Sequence, residues 1–252
     1  MPDEIDPELA RAFFAAERLD QVDPRRQVTW RIGDAMRAIT DRLVATTSPQ
    51  AELEAILADL EAAAERLGRF DFGRRYEGYA EAALAGTSDD PEEGDRGSDG
   101  PPAGHADFSP VIGRANPLAP PVELDVEGDR VIGTVTFGHA YEGPPGHVHG
   151  GWVAAAFDEV LGAVQAMSGN PGMTAHLEID YKRPTPLHVP LRFEAWIDRV
   201  EGRKIFCTCH LFSADAGDPG GEEHLRAESR GLFISIDFSK IAALTSQRDS
   251  SD

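Results

Sequence analysis

His149-Gly150-Gly151 and, nine residues after the histidine, Asp158 form the arrangement in this chain best suited to running a reaction. Paired glycines let backbone approach a ligand closely, and the first N–H groups of a helix starting there lack intrahelical acceptors. Free donors at the positive end of a helix dipole suit an oxyanion growing on an attacked carbonyl. Asp158 supplies the complementary chemistry. A carboxylate can draw a proton from attacking water, or attack and form a mixed anhydride. The rival reading of Asp158 is a structural acid bonded to nearby backbone or to a histidine. His149 is placed either to orient the turn or to touch a substrate.

A helix must carry this acid. From Trp152 to Val164 every residue is apolar or glycine except Asp158 and Glu159, so the helix is expected to be buried on nearly all sides. Burying an ionised carboxylate costs several kcal/mol unless it is paired or hydrogen-bonded, so an acid there needs a reason. Trp152, Phe157 and Met167 are candidates for an acyl tunnel, although such residues on a buried helix are more often plain core.

At 252 residues and 41% hydrophobic content, the chain can build one sizeable core plus an accessory segment. A net charge of −20 argues against a nucleic-acid partner. Cys207 and Cys209, the two cysteines, sit at i, i+2 and are expected on one face of a strand as reduced packing residues. No apolar run reaches the ~18 residues of a membrane span. The acidic start, Met1 to Asp6, argues against secretory and mitochondrial presequences, so a cytoplasmic enzyme is expected.

Residues 1–86 are expected to form a helical extension. Val28, Ile32, Met36, Ile39 and Leu43 mark one amphipathic helix; Leu53, Ile56, Leu57, Leu60, Ala64 and Leu67 mark another, after Thr47-Ser48-Pro49-Gln50 with capping-box spacing. The two are expected to pair as an antiparallel hairpin. Residues 87–104, rich in Asp, Glu, Gly, Pro and Ser, are expected to be a flexible acidic linker, and 241–252 a disordered tail. Between them, 105–240 switch to a period of two. Strands are expected near 122–126, 131–137, 174–182, 191–200, 204–214 and 226–237, with turns at Glu127-Gly128-Asp129 and Glu201-Gly202 and a polar loop from Asp215 to Glu223. The result is an α+β class: an antiparallel sheet wrapped around one long central helix.

This order of elements resembles the hot dog fold. His149-Gly150-Gly151 with Asp158 resembles the signature of PaaI-type acyl-CoA thioesterases. Met173 to Leu187 (MTAHLEIDYKRPTPL) and Asp198 to Lys204 (DRVEGRK) resemble the branch of thioesterase superfamily members four and five. The resemblance covers roughly residues 110 to 238 and leaves the N-terminal helices outside. It implies hydrolysis of acyl-CoA, expected to be of medium to long chain, with Asp158 as the acid, Thr174 as a threonine opening the next strand, and a backbone N–H of Gly150 or Gly151 as oxyanion donor. His149 is then an orienting residue. It implies no metal or redox cofactor. It also implies a homodimer or dimer of dimers with sites across the interface, so that acid and turn can come from different subunits.

Glu159 adjoins Asp158 but projects about a quarter turn away, and is expected to be paired or edge-facing. Lys182-Arg183 and Arg203-Lys204 are the densest basic spots and could meet coenzyme A phosphates, or be ordinary solvated loop charges. Trp152 is a further substrate-binding candidate. Three other readings compete. A cupin-like metal site built on His139, His147 and His149 lacks the acid expected soon after the second histidine. Hydratase chemistry on this fold usually has a histidine five residues after the aspartate, where Ala163 stands. A non-catalytic acyl-CoA-binding or regulatory module keeps the fold and drops the turnover.

Overall fold

A computed structural model describes residues 22–70 and 105–235, apart from 121, 171 and 219. The linker at 87–104, the tail at 241–252 and the outer parts of the helical extension lie outside these residues. The elements are α1 (Pro24–Leu43), α2 (Gln50–Leu67), β1 (Glu123–Glu127), β2 (Arg130–Val135), α3 (Gly150–Ala166), β3 (Gly172–Tyr181), β4 (Leu191–Glu201), β5 (Lys204–Ser213) and β6 (His224–Ser235).

The alternating segments pair into one antiparallel six-stranded sheet, ordered β1-β2-β4-β5-β6-β3. Hairpins β1–β2 and β4–β5 close through two-residue turns led by Gly128 and Gly202, both at positive φ. One side of each inner strand is apolar and packs on α3. Val131, Phe193, Ile205, Cys207, Cys209, Leu211 and Phe233 meet Val153, Phe157, Val160, Leu161 and Val164 in one core. Phe157 and Phe193 stack edge to face, their centroids 5.2 Å apart. Burying one such side chain stabilises the fold by roughly 1.5–3 kcal/mol. This is the hot dog architecture. Phe157 is wholly buried in the core. Cys207 and Cys209 are buried thiols, and burial pushes that of Cys207 up to about 12.

The core helix is not covered on every side. Gly151 is exposed and Ala155, Asp158 and Gly162 are half-buried, a sector turned away from the inner strands. The apolar stretch predicts burial on nearly all sides, whereas the sheet wraps only part of the helix's circumference.

The N-terminal helices also depart from expectation. The capping box does not form: Pro49 caps α2 without a side-chain bond, Thr46 and Ser48 bond each other, and Gln50 bonds Glu54. No residue of α2 is buried, and its Ile56, Leu57, Leu60 and Leu67 stay exposed, as do Val28, Ile32, Met36, Ile39 and Leu43 of α1. The apolar stripes therefore do not close on each other as a hairpin. Instead α1 docks by its opposite side. Trp30 is buried beside Ala115, with the guanidinium groups of Arg26 and Arg114 at 5.2 and 4.8 Å from its ring. Arg37 donates to the carbonyls of Asn116 and Arg114, both at 2.8 Å, and Asp41 accepts from the Ala140 N–H at 3.0 Å. These charge-assisted bonds satisfy backbone groups of the segment that leads into β1 and of the turn that follows β2.

Arg37→Ala should lower unfolding stability by about 2–3 kcal/mol, since two carbonyls lose a charged donor. Urea denaturation checks this; a loss below about 0.5 kcal/mol would show that α1 is not fixed by these bonds.

Candidate active site

The turn ahead of α3 is pinned almost everywhere. The Val148 N–H donates to the Thr185 carbonyl at 2.8 Å and the His149 N–H to the Tyr141 carbonyl at 2.9 Å. His149 caps the helix: its Nδ1 accepts the Gly151 N–H at 3.0 Å, and its carbonyl accepts from Trp152 and Val153. Accepting there requires an unprotonated Nδ1. Gly151, one of the two candidate donors, is thus already engaged. The Gly150 N–H makes no hydrogen bond among the described residues.

Asp158 lies two turns further along α3, half-buried, where the Thr174 hydroxyl donates to its Oδ1 at 2.9 Å. A register irregularity makes that contact. Leu177 and Ile179 pack toward the core, so regular alternation would turn Thr174 to the other face of β3. Thr174 pairs with Phe233 and His176 with Leu232, leaving Ala175 as an extra residue that resets the parity. At the other end of the strand the Tyr181 hydroxyl donates to the Gly150 carbonyl at 2.8 Å. Sequence reasoning gave Tyr181 no role, although it shares the alternation of Leu177 and Ile179.

Glu159 is half-buried and its partner is a hydroxyl rather than a cation. It has no cationic partner among the described residues, and the buried Ser109 hydroxyl donates to its Oε1 at 3.5 Å. Lost solvation, and then the Asp158 charge, push its carboxyl up to about 7, with Ser109 pulling the other way.

The basic candidates do not converge within one chain. Lys182 and Arg183 follow β3 near the start of β6, where Lys182 pairs with Glu228 at 2.9 Å and Asp180 at 3.5 Å. Arg203 and Lys204 sit beside the far end of β6, the Arg203 Nε donating to the Ser235 carbonyl at 3.0 Å. Eight strand residues, about 26 Å, separate the two pairs. Trp152 is half-buried and stacks edge to face on Tyr141 at 5.0 Å. The three histidines of the metal reading go separate ways: His147 Nδ1 lies 2.9 Å from the Pro145 carbonyl, His149 caps the helix, and His139 Nε2 faces His188 Nε2 at 3.2 Å. Among the described residues no three candidate ligands group to hold a metal, and no helix is long and apolar enough to cross a membrane.

A helix wrapped by an antiparallel sheet, with a glycine turn at its start and a hydroxyl-held aspartate at its middle, defines a hot dog protein of thioesterase type. The sequence profile of the Thioesterase superfamily matches residues 145–219. A crystal structure of a thioesterase superfamily protein is 33% identical to this chain, covers 82% of it, is itself 94% covered, and superposes with a TM-score of 0.65. The chain belongs to the thioesterase superfamily. Among curated relatives, the acyl-coenzyme A thioesterase THEM4 of Bos taurus is 40% identical over 38% of this chain and 37% of its own. That of Xenopus laevis is 37% identical over 38% and 40%. This chain therefore spans about two fifths of the length of those relatives.

Glu159 gives the site a pH signature. Its folded carboxyl titrates at about 7 against an ordinary 4.5, so the folded state holds the proton more tightly. The resulting stabilisation is complete below about pH 4.5 and is lost as pH rises through about 7. Across that window the wild type should lose thermal stability relative to Glu159→Gln. Melting curves of both proteins measure it, and a pH-independent difference between them would contradict the assignment.

Proposed function

We propose that this protein hydrolyses acyl-CoA thioesters to the free acid and coenzyme A. The observation that carries the reading is the Gly150 N–H, without a partner among the described residues in a turn whose neighbouring donors are all engaged. A donor held this way needs no reorganisation when charge develops on a thioester oxygen, and one such donor is typically worth ~2.7–4 kcal/mol of transition-state stabilisation. The names of the THEM4 relatives support coenzyme A thioesters as the substrate class.

Asp158 supplies the attack. It takes a proton from water as that water adds to the carbonyl, or adds itself and leaves a mixed anhydride that water opens. Both routes put the same negative charge on the carbonyl oxygen, and both expel the coenzyme A thiolate, a good leaving group that needs no strong acid. Thr174 fixes the carboxylate rotamer. No step calls for a metal.

Two copies of the chain are part of this reading. Eight helical residues place Gly150 about 12 Å from Asp158 along the axis. A single carbonyl touching the donor directly and the carboxylate through one water spans roughly 8 Å. Two α3 helices packed antiparallel would set Gly150 of one copy beside Asp158 of the other. The open sector of Gly151, Ala155 and Gly162 is small enough to admit such a partner, and β3 next to it is an edge strand among the described residues.

Thiol release from a panel of acyl-CoA chain lengths tests the reading. Medium to long chains should turn over fastest, and Asp158→Asn should cut kcat by at least 100-fold while fold and acyl-CoA binding persist. Tight binding with no turnover in the wild type would move the assignment to a non-catalytic acyl-CoA-binding module. Thr174→Val should lower kcat by about 10-fold with KM little changed, since it releases the carboxylate without touching substrate.

A further inference from the structure

Gly150 and Gly151 are the two residues of the turn most able to wander, because neither has a Cβ to restrict its backbone. The peptide plane between them is nevertheless held at both ends. Its N–H, from Gly151, goes to His149 Nδ1 at 3.0 Å, and its carbonyl, from Gly150, receives the Tyr181 hydroxyl at 2.8 Å. Both clamps are side chains. The second comes from the C-terminal end of β3, the strand that also holds Asp158 through Thr174.

Tyr181 has reason to be somewhere else. It is 53% exposed, so its phenol could be satisfied by water at little cost. Its ring instead lies against the glycine: a Cβ built on Gly150 would meet the Tyr181 hydroxyl at 3.5 Å, Cζ at 3.6 Å and Cε1 at 3.8 Å. Loss of solvation also raises the phenol above its ordinary value, which keeps it a donor.

We propose that Tyr181 is a positioning residue for the oxyanion donor: the Gly150 N–H lies in the His149–Gly150 peptide, whose carbonyl accepts from Trp152 and Val153, and Tyr181 holds the following peptide, so that both planes flanking the Gly150 Cα are fixed and the N–H keeps one direction. β3 is then the positioning strand for both halves of the chemistry, with Thr174 setting the carboxylate and Tyr181 setting the donor. The inference rests on the thioesterase reading for its catalytic consequence and on the hydrogen bond itself for its structural one.

Tyr181→Phe removes the hydroxyl and keeps the ring. It should lower kcat for acyl-CoA by about 10-fold, leave KM within two-fold of the wild type and leave the melting temperature unchanged. Amide exchange in a peptide covering residues 147–153 should speed up while that of β4 and β5 holds. A raised KM with kcat intact would place Tyr181 on the substrate instead and overturn the proposal. Wild-type exchange at 147–153 would overturn it too, whatever the activity. A wild type without thiol release, combined with faster exchange in Tyr181→Phe, would sink the thioesterase reading and leave the clamp standing.

Discussion

Everything in this fold depends on seating α3 against the sheet. Val153, Phe157, Val160, Leu161 and Val164 lock the helix into the apolar side of the inner strands, fixing its rotation and its position along the axis. Once that is set, Asp158 must face β3, Glu159 must face the segment around Ser109, and the glycine turn must emerge where Tyr181 and Thr185 can reach it. The site inherits its precision from close packing, which tolerates little displacement of a helix whose buried side is filled by large side chains.

The segments around the core act as braces for the turn. α1 holds the residues leading into β1 through Arg37 and the His139–Tyr141 turn through Asp41, and the Tyr141 carbonyl in turn accepts the His149 N–H. The helical extension thus reaches the site at second hand, by its polar side. Glu159 sits partly desolvated beside Asp158 on the same helix.

Sheet, turns and central helix were legible because their signals are local. Alternation marked the strands, Gly128 and Gly202 marked the hairpins, and an apolar run broken only by Asp158 and Glu159 marked α3. Thr174 was legible only through resemblance, because its aim at Asp158 depends on the extra residue Ala175 and no residue type announces a bulge there. Tyr181 was within reach of the same alternation, but its partner is a carbonyl far off in sequence. The N-terminal helices misled because amphipathic stripes report an apolar side without saying whether that side docks; in α1 buried Trp30 and the charge-assisted bonds of Arg37 decide instead. Gly150 and Gly151 looked equivalent until the His149 ring took one of the two N–H groups.

Pairing of Gly150 from one copy with Asp158 from another is the central claim, and a mixed dimer tests it most directly. Gly150→Pro removes the free N–H at the first helical position, where proline fits and no hydrogen bond is lost. His149 before it is already extended, at φ −61° and ψ 129°, as a residue preceding proline must be. Gly150→Pro and Asp158→Asn chains, co-expressed with different tags and purified through both, form dimers with one doubly damaged site and one intact site if the groups act across the interface. The account predicts acyl-CoA thiol release in the mixed dimer that neither variant shows alone. Mixed dimers as inactive as their parents, with folding and acyl-CoA binding preserved, would contradict it.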